Sequence, residues 1–527
     1  MSAHPRFFSA ANLLLITPLC VLGAIVGMQI LIRLGITTNT ALIGALAGMA
    51  LGRVPLPRFR VYRSIHVQNL AQSAISASTF GAANSLLLPI GIPFLLGRGD
   101  LVAPMFAGAT LAMLLDATLL YRMFGSSVFP AEGAWPPGVA AAEAIRAGDQ
   151  GGRRAAVLGA GLLAGVAGSV AGVPMAGFGV AFIGNAAALG MFAAGLLLRG
   201  YSVPLLDHPA LAALIPGGDL GQTHIPQGMM LGAGLTALAQ VVASLLRAAP
   251  PGNEVDTVAP RALRRTLGAG ALLYLLIAAI IAAAGGLWAE MSPGALLGFI
   301  AYAAFAALLH ELIVGLAGMH SGWFPAFAVA VVTLVLGILA GFPPGALALL
   351  VGFSASTGPA FADMGCDLKA GFILRGHGAD PAFERDGRRQ QLYAALYALG
   401  IAALVVLVAH PVYFARGQVA PVDHVFVAAI RAGASPEVAR SLLLWAIPGA
   451  LLQALGGSRR QLGVLFATGL LLKSPIAGWA VLAGLLGRAL WLWRAGERGR
   501  GDMEVFAAGS IAGDALWSFG ASLGRVR

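Results

Sequence analysis

Charge is what this sequence has least of. Only 10% of its 527 residues are Asp, Glu, Lys or Arg, against about 25% in an ordinary soluble protein. A larger core does not explain the deficit, because a bigger globule still needs a solvated surface. Cysteine is nearly missing as well. Cys20 and Cys366 lie far apart with no CxxC spacing, which argues against a disulfide framework or a zinc site. Lysine is reduced to Lys369 and Lys473 among 33 basic residues. The basic residues sit in short clusters between apolar runs, so the net charge of +11 does not point to nucleic acid. Walker A and paired-aspartate protease motifs are missing. His310-Glu311 opens like a zinc-protease HExxH, but Val314 stands where the second histidine is required. These absences argue against ATP-driven work by this chain alone and against an embedded enzyme; no cofactor and no metal site is expected.

What is present is apolar: 58% hydrophobic residues and a mean hydropathy of +0.84. The apolar runs recur along the whole chain, and a spanning helix needs about 20 such residues. In lipid every backbone amide must be satisfied internally, so spanning segments are helices or a closed barrel. The runs are continuous rather than alternating, which excludes the barrel. The expected fold is an all-α, polytopic transmembrane bundle of about 14–16 helices. Segments are expected near 11–34, 36–52, 67–96, 101–124, 155–173, 177–199, 224–247, 266–288, 294–316, 320–341, 343–361, 390–411, 437–456, 462–493 and 503–524. The run from Asn12 to Ile32 is long for a signal-peptide core and reads as a retained first helix.

Arginines sit in short clusters between the runs, as the positive-inside rule requires. Arg53, Arg58, Arg60 and Arg63 mark one loop as cytoplasmic, as do Arg146, Arg153 and Arg154, and Arg385, Arg388 and Arg389. The linker with Arg261, Arg264 and Arg265 joins that side only if one more crossing precedes it. The string AIRAG occurs at 144–148 and again at 429–433, an offset of 285, each with a proline eight residues upstream (Pro136, Pro421). GMMLGAG (228–234) aligns loosely with AAGSIAG (507–513). The expectation is a first repeat at 1–250, a linker and connecting helix at 251–290, and a second repeat at 291–527. Two packed halves with a site between them are transporter architecture.

Ionisable groups inside apolar helices cost about 2.5–3.5 kcal/mol each on insertion scales, so each needs a reason to be there. Glu311, beside His310, is the most conspicuous, with Asp116 and Asp514 next. Each suits a proton pathway; an inter-helix hydrogen bond or a place near a helix end is the plainer alternative. Lys473, beside a proline break, could meet a substrate carboxylate or snorkel to headgroups. Asn69 and Gln72, and His320 and Ser321, lie at helix breaks where polar groups bind substrates or merely cap helices.

Four strings resemble the oligopeptide transporter (OPT) family, which includes the yellow-stripe metal-chelate transporters. PPGVAAAEAIRAG (136–148) is similar to that family's P-x-G-x-A-x-A-E-x-L-x-A-G loop. Asp363-Met-Gly-Cys-Asp367-Leu-Lys369-Ala-Gly371, with Arg388-Arg389-Gln390-Gln391 behind it, resembles its D-x-x-x-D-L-K-x-G motif and trailing R-R-Q-Q. AAGSIAGDAL (507–516) resembles its C-terminal string, with Asp514 in a glutamate's place, and NLAQSAISAS (69–78) its early N-x-x-Q segment. Residues 376–387 look inserted, and Cys366 replaces a polar residue. The resemblance implies proton-coupled import of short oligopeptides or metal chelates by a multi-pass protein of the inner cell membrane. The partners it implies are the lipid bilayer, a peptide or chelate, and protons, and it is compatible with a homodimer. A channel, a carrier for another small polar solute, or a non-transport membrane protein are the alternatives. Glu143, Asp363, Asp367 and Lys369 match family motifs in loops that look cytoplasmic, where helix capping and arginine pairing are their plainer roles.

Overall fold

The computed structural model describes residues 4–34, 41–206, 219–220, 223–246, 257–433 and 436–524. Residues 207–216 and most of the stretch 248–262 ahead of Arg264 lie outside the described residues. Proline sets many of the helix starts, at Pro136, Pro260, Pro293, Pro344, Pro359, Pro381, Pro421 and Pro475. At the first helical position its missing N–H is one that the helix could not satisfy anyway. The first group is α1 (Ala10–Leu34), α2 (Ala41–Gly52), α3 (Ile65–Phe80), α4 (Leu88–Leu96), α5 (Val102–Met123), α6 (Pro136–Gln150) and α7 (Gly152–Val170). Next come α8 (Met175–Ile183), α9 (Ala186–Gly200), the short α10 (Ser202–Leu206), α11 (Ile225–Leu246), α12 (Pro260–Ala284) and α13 (Pro293–Ser321). Then follow α14 (Ala326–Leu339), α15 (Pro344–Ser356), α16 (Pro359–Leu374) and α17 (Pro381–Ala415). The last are α18 (Pro421–Ala432), α19 (Pro436–Arg460), α20 (Leu462–Leu471), α21 (Pro475–Ala495) and α22 (Arg500–Gly524).

The all-α expectation holds, and the described residues contain no β-strand. Helices are more numerous than expected, about 20 among the described residues. Segment 177–199 breaks at Gly184-Asn185, and 462–493 breaks between Leu471 and Pro475. Nine helical stretches among the described residues are long and apolar enough to cross a membrane. Their outward faces carry side chains that water would not tolerate in such number: Leu163, Leu272, Leu297 and Val408 are all largely exposed. Such a perimeter is ordinary against lipid tails.

One apolar core is built mainly from α1, α3–α5, α12, α13 and α15–α17. A second is built from α8, α9, α11, α14 and α20–α22. The second is held together by glycine. A Cβ on Gly161 of α7 would lie 2.2 Å from the Phe506 carbonyl of α22, and one on Gly232 of α11 would lie 1.8 Å from the Ala446 carbonyl of α19. With no hydrophobic drive between helices in lipid, such close backbone approach supplies the packing energy.

The arginine clusters meet on one face. Arg53 donates to the Gly148 carbonyl (3.1 Å), Arg146 to that of Ile373 (2.7 Å), and Arg388 to the Thr257 hydroxyl (3.4 Å). Thr257, three residues ahead of α12, therefore lies on the side of the other basic segments. The apparent insertion at 376–387 forms a turn and the start of α17: Asp380 caps it through Ala382 N–H (3.0 Å), and Glu384 pairs with Arg375 (2.7 Å) and Arg388 (2.6 Å).

Candidate functional site

The expected loop position of the D-x-x-x-D-L-K string is corrected by the structure. Asp363, Asp367 and Lys369 all lie inside α16, whose residues are buried throughout. They survive there because each meets a polar atom from another element. Ser76 of α3 donates to Asp363 Oδ1 (2.5 Å) and Gln72 to Asp367 Oδ1 (2.6 Å), a rung-by-rung match because both pairs are spaced i, i+4. Asn69 donates in turn to Gln72 Oε1 (2.9 Å). Gln391 donates to the Asp367 carbonyl (2.6 Å) and accepts from Arg375 (2.8 Å), so the trailing R-R-Q-Q string braces the motif from α17. Lys369 Nζ donates to the Ala131 carbonyl (2.9 Å). Glu143 lies in α6 rather than a loop, and its carboxylate pairs with Arg146 (3.1 Å) and Arg154 (2.7 Å).

Asp116 and Glu311, 195 positions apart (311 − 116), come together deep in the first core. Tyr274 of α12, which sequence reasoning did not single out, joins them. Its hydroxyl lies 2.5 Å from Asp116 Oδ1 and also contacts Glu311 Oε2. The Gly358 N–H, just ahead of α16, donates to Asp116 Oδ2 (2.6 Å). A phenol has a single proton to donate. With two carboxyl groups on one hydroxyl, both hydrogen bonds form if one carboxyl is the acid and gives its own proton to the phenol oxygen. The arrangement is therefore one that can hold and pass on a proton. Glu311 Oε1 has no hydrogen-bond partner among the described residues. A tyrosine in the run ALLYLLIAAI (271–280) looks like packing; the only signal was a hydroxyl in an otherwise wholly apolar stretch.

His310 is also fully buried. Its Nε2 lies 2.7 Å from the Ala326 carbonyl, so that nitrogen carries the hydrogen, and Nδ1 faces the Thr357 hydroxyl at 3.4 Å.

Between the two cores opens a cavity of about 2170 Å³, counting its open mouth. Its walls are largely aromatic and aliphatic, with Phe80, Phe192, Trp323, Phe324 and Phe327 prominent, and with Asn84, Ser321, Thr468 and Asp514 as polar points. Asn84 sits in a π-helical stretch, Gly81–Leu87, that links α3 to α4, and such wider turns re-aim side chains. The Gly322–Pro325 break between α13 and α14 forms one wall, with Gly322 at φ +69°. A left-handed turn of this kind is open to glycine at little cost.

The expected residues divide. Ser321 and Asp514 line the cavity. His320 lies behind it, where its carbonyl accepts from Asn185 N–H (3.0 Å). Asn69 and Gln72 serve the α16 ladder and are no part of the cavity wall. Lys473 follows Leu472 out of the cavity and is exposed. Among the described residues no group of three or more His, Cys, Asp or Glu side chains could hold a metal.

The family model described as OPT oligopeptide transporter protein matches residues 13–215 and 259–524, nearly the whole chain. No curated protein matches it.

Proposed function

The chain belongs to the OPT oligopeptide transporter family, and we propose that it is a secondary transporter in which proton movement drives a short peptide or metal chelate through the cavity. One observation carries this reading: the cavity wall and the proton-holding trio are one hydrogen bond and one residue apart. Ala326 lines the cavity and accepts from His310, and His310 adjoins Glu311. Loss of the shared proton adds a negative charge to a buried site, and an unpaired buried charge costs several kcal/mol. The packing around α13 and the Gly322–Pro325 break then favours a different arrangement from the one that suits the protonated trio. Cargo in the cavity and proton in the trio bias the same element, which is what coupling between two sites requires.

Two related halves would supply the two states. Matching the long helices in order from α6 and α18 pairs α7 with α19 and α11 with α22. The contacts α7–α22 and α19–α11, both extensive, are then one contact with the halves exchanged, as a pseudo-two-fold axis requires. In this reading the repeats span 1–250 and 291–527, with α12 as the connecting helix. The positive-inside rule makes the arginine face cytoplasmic in an inner cell membrane.

The test is uptake by proteoliposomes under an imposed pH gradient, with labelled tripeptides and ferric chelates as probes. Accumulation that collapses on adding a protonophore is expected. Saturation-free flux that ignores the gradient would favour a channel and overturn the reading.

A further inference from the structure

The transport reading leaves the charge of the cargo undefined, and the inference here rests on that reading. We propose that the cavity selects a cargo bearing a cationic amine, such as the N-terminal ammonium of a short peptide, with Asp514 as its partner, and disfavours anionic chelates.

Asp514 is the one ionisable side chain among the described residues that line the cavity. No arginine, lysine or histidine shares that wall. The basic side chain with the best claim to it by sequence, Lys473, is exposed and outside it. An anionic cargo would therefore meet a carboxylate with no cation to offset it, and a like charge in a poorly hydrated site is costly. Asp514 is also held in place. Ser169 donates to its Oδ1 at 2.5 Å and the Met175 N–H donates to the same oxygen at 3.3 Å. Both partners are neutral donors, so they orient the carboxylate without cancelling its charge. No ion pair among the described residues includes Asp514.

The rest of the wall suits the same cargo. Faces of Trp323, Phe324 and Phe327 attract a cation electrostatically as well as packing apolar side chains. Asn84, Ser321 and Thr468 are neutral, so the polar points beside Asp514 add no charge to oppose a cation. A few fixed polar groups in a mostly apolar chamber orient a ligand whose body is apolar. A carboxylate at the far end of a peptide finds no charged partner here, so it is tolerated rather than recognised.

The experiment measures binding to the full-length protein in nanodiscs by calorimetry, using trialanine in its free, N-acetylated and C-amidated forms, and ferric citrate. N-acetylation removes the positive charge and is expected to weaken binding about tenfold or more, in the range of losing one member of a buried charged pair. C-amidation should leave affinity within a few-fold or improve it, and ferric citrate should bind most weakly. Asp514→Asn is expected to erase the penalty for N-acetylation, and Asp514→Glu to retain it. Equal binding of free and N-acetylated peptide, tighter binding of ferric citrate, or no binding of any peptide form would overturn the proposal. The wild-type series decides the matter even if the Asp514 variants fail to fold. Gradient-driven uptake of N-acetylated and free peptide at equal rates would sink the amine assignment while leaving the transport reading intact.

Discussion

Two buried pairs of carboxyl groups sit in the first core, alike in composition and opposite in how they are satisfied. Asp363 and Asp367 each receive a hydrogen bond from a separate neutral donor, Ser76 and Gln72. Asp116 and Glu311 share one hydroxyl, that of Tyr274, and among the described residues only Asp116 has a further donor, the Gly358 N–H. A carboxylate with its own donor keeps a satisfied partner while ionised. Two carboxyls brought onto one hydroxyl can share a proton between them, as acid pairs do when like charges cannot both persist at close range. A hydroxyl shared between the two acids, rather than depth of burial, separates a pair suited to exchanging a proton from a pair suited to bracing a helix.

The largest effect that can break this comparison is expected from Glu311→Gln. The amide keeps the size and can still meet Tyr274, but it cannot give up a proton. Accumulation driven by a pH gradient should fall to the level seen without one, while cargo binding measured by calorimetry persists. Unchanged pH dependence of uptake would remove Glu311 from the proton route and leave the trio a purely structural knot.

Tyr274→Phe sharpens the same contrast from the donor's side. The ring stays, together with its contact to Phe353, and only the bridging hydroxyl goes. Leaving buried polar groups without it should cost about 1–3 kcal/mol, visible as a lower Tm in thermal unfolding. The pH profile of uptake should move as well, because the two carboxyls then share their proton without an intermediary. A lower Tm with an unmoved profile would mean that the hydroxyl only stitches α5, α12 and α13 together.

Much of this fold was legible from residue order. Continuous apolar runs required helices, and the DLK and AIRAG strings carried the resemblance that the family match bears out. The site was legible only one residue at a time. Glu311 and Asp116 stood out because charge is rare in apolar runs, but the element that joins them, α12, carries an unremarked tyrosine. The DLK string looked solvated because it holds three charges in seven residues. Its partners Ser76, Gln72 and the Ala131 carbonyl lie hundreds of positions away, and no local pattern announces a long-range donor. Lys473 misled for a related reason: the proline break that drew attention to it also turns it out of the cavity wall. Hydropathy marked where chain enters lipid, whereas the breaks at Gly184, Gly322 and Leu472 depend on what each segment packs against.

The smallest expected effect tests the bracing pair. Gln72→Ala and Ser76→Ala each remove the donor to one aspartate of α16 and leave every group of the Tyr274 trio in place. Each lost hydrogen bond should lower stability by about 1 kcal/mol, read as a modest fall in Tm, with α16 still anchored through Gln391 and Lys369. The pH profile of gradient-driven uptake should not move, because no group assigned to proton exchange has changed its partners. A shifted profile in either variant would place Asp363 and Asp367 on the proton route. The two pairs would then form one path along α16, from the Gly358 N–H beside Asp116 to Gln391 and Arg375 at its far end, and a shared hydroxyl would no longer tell exchange from bracing.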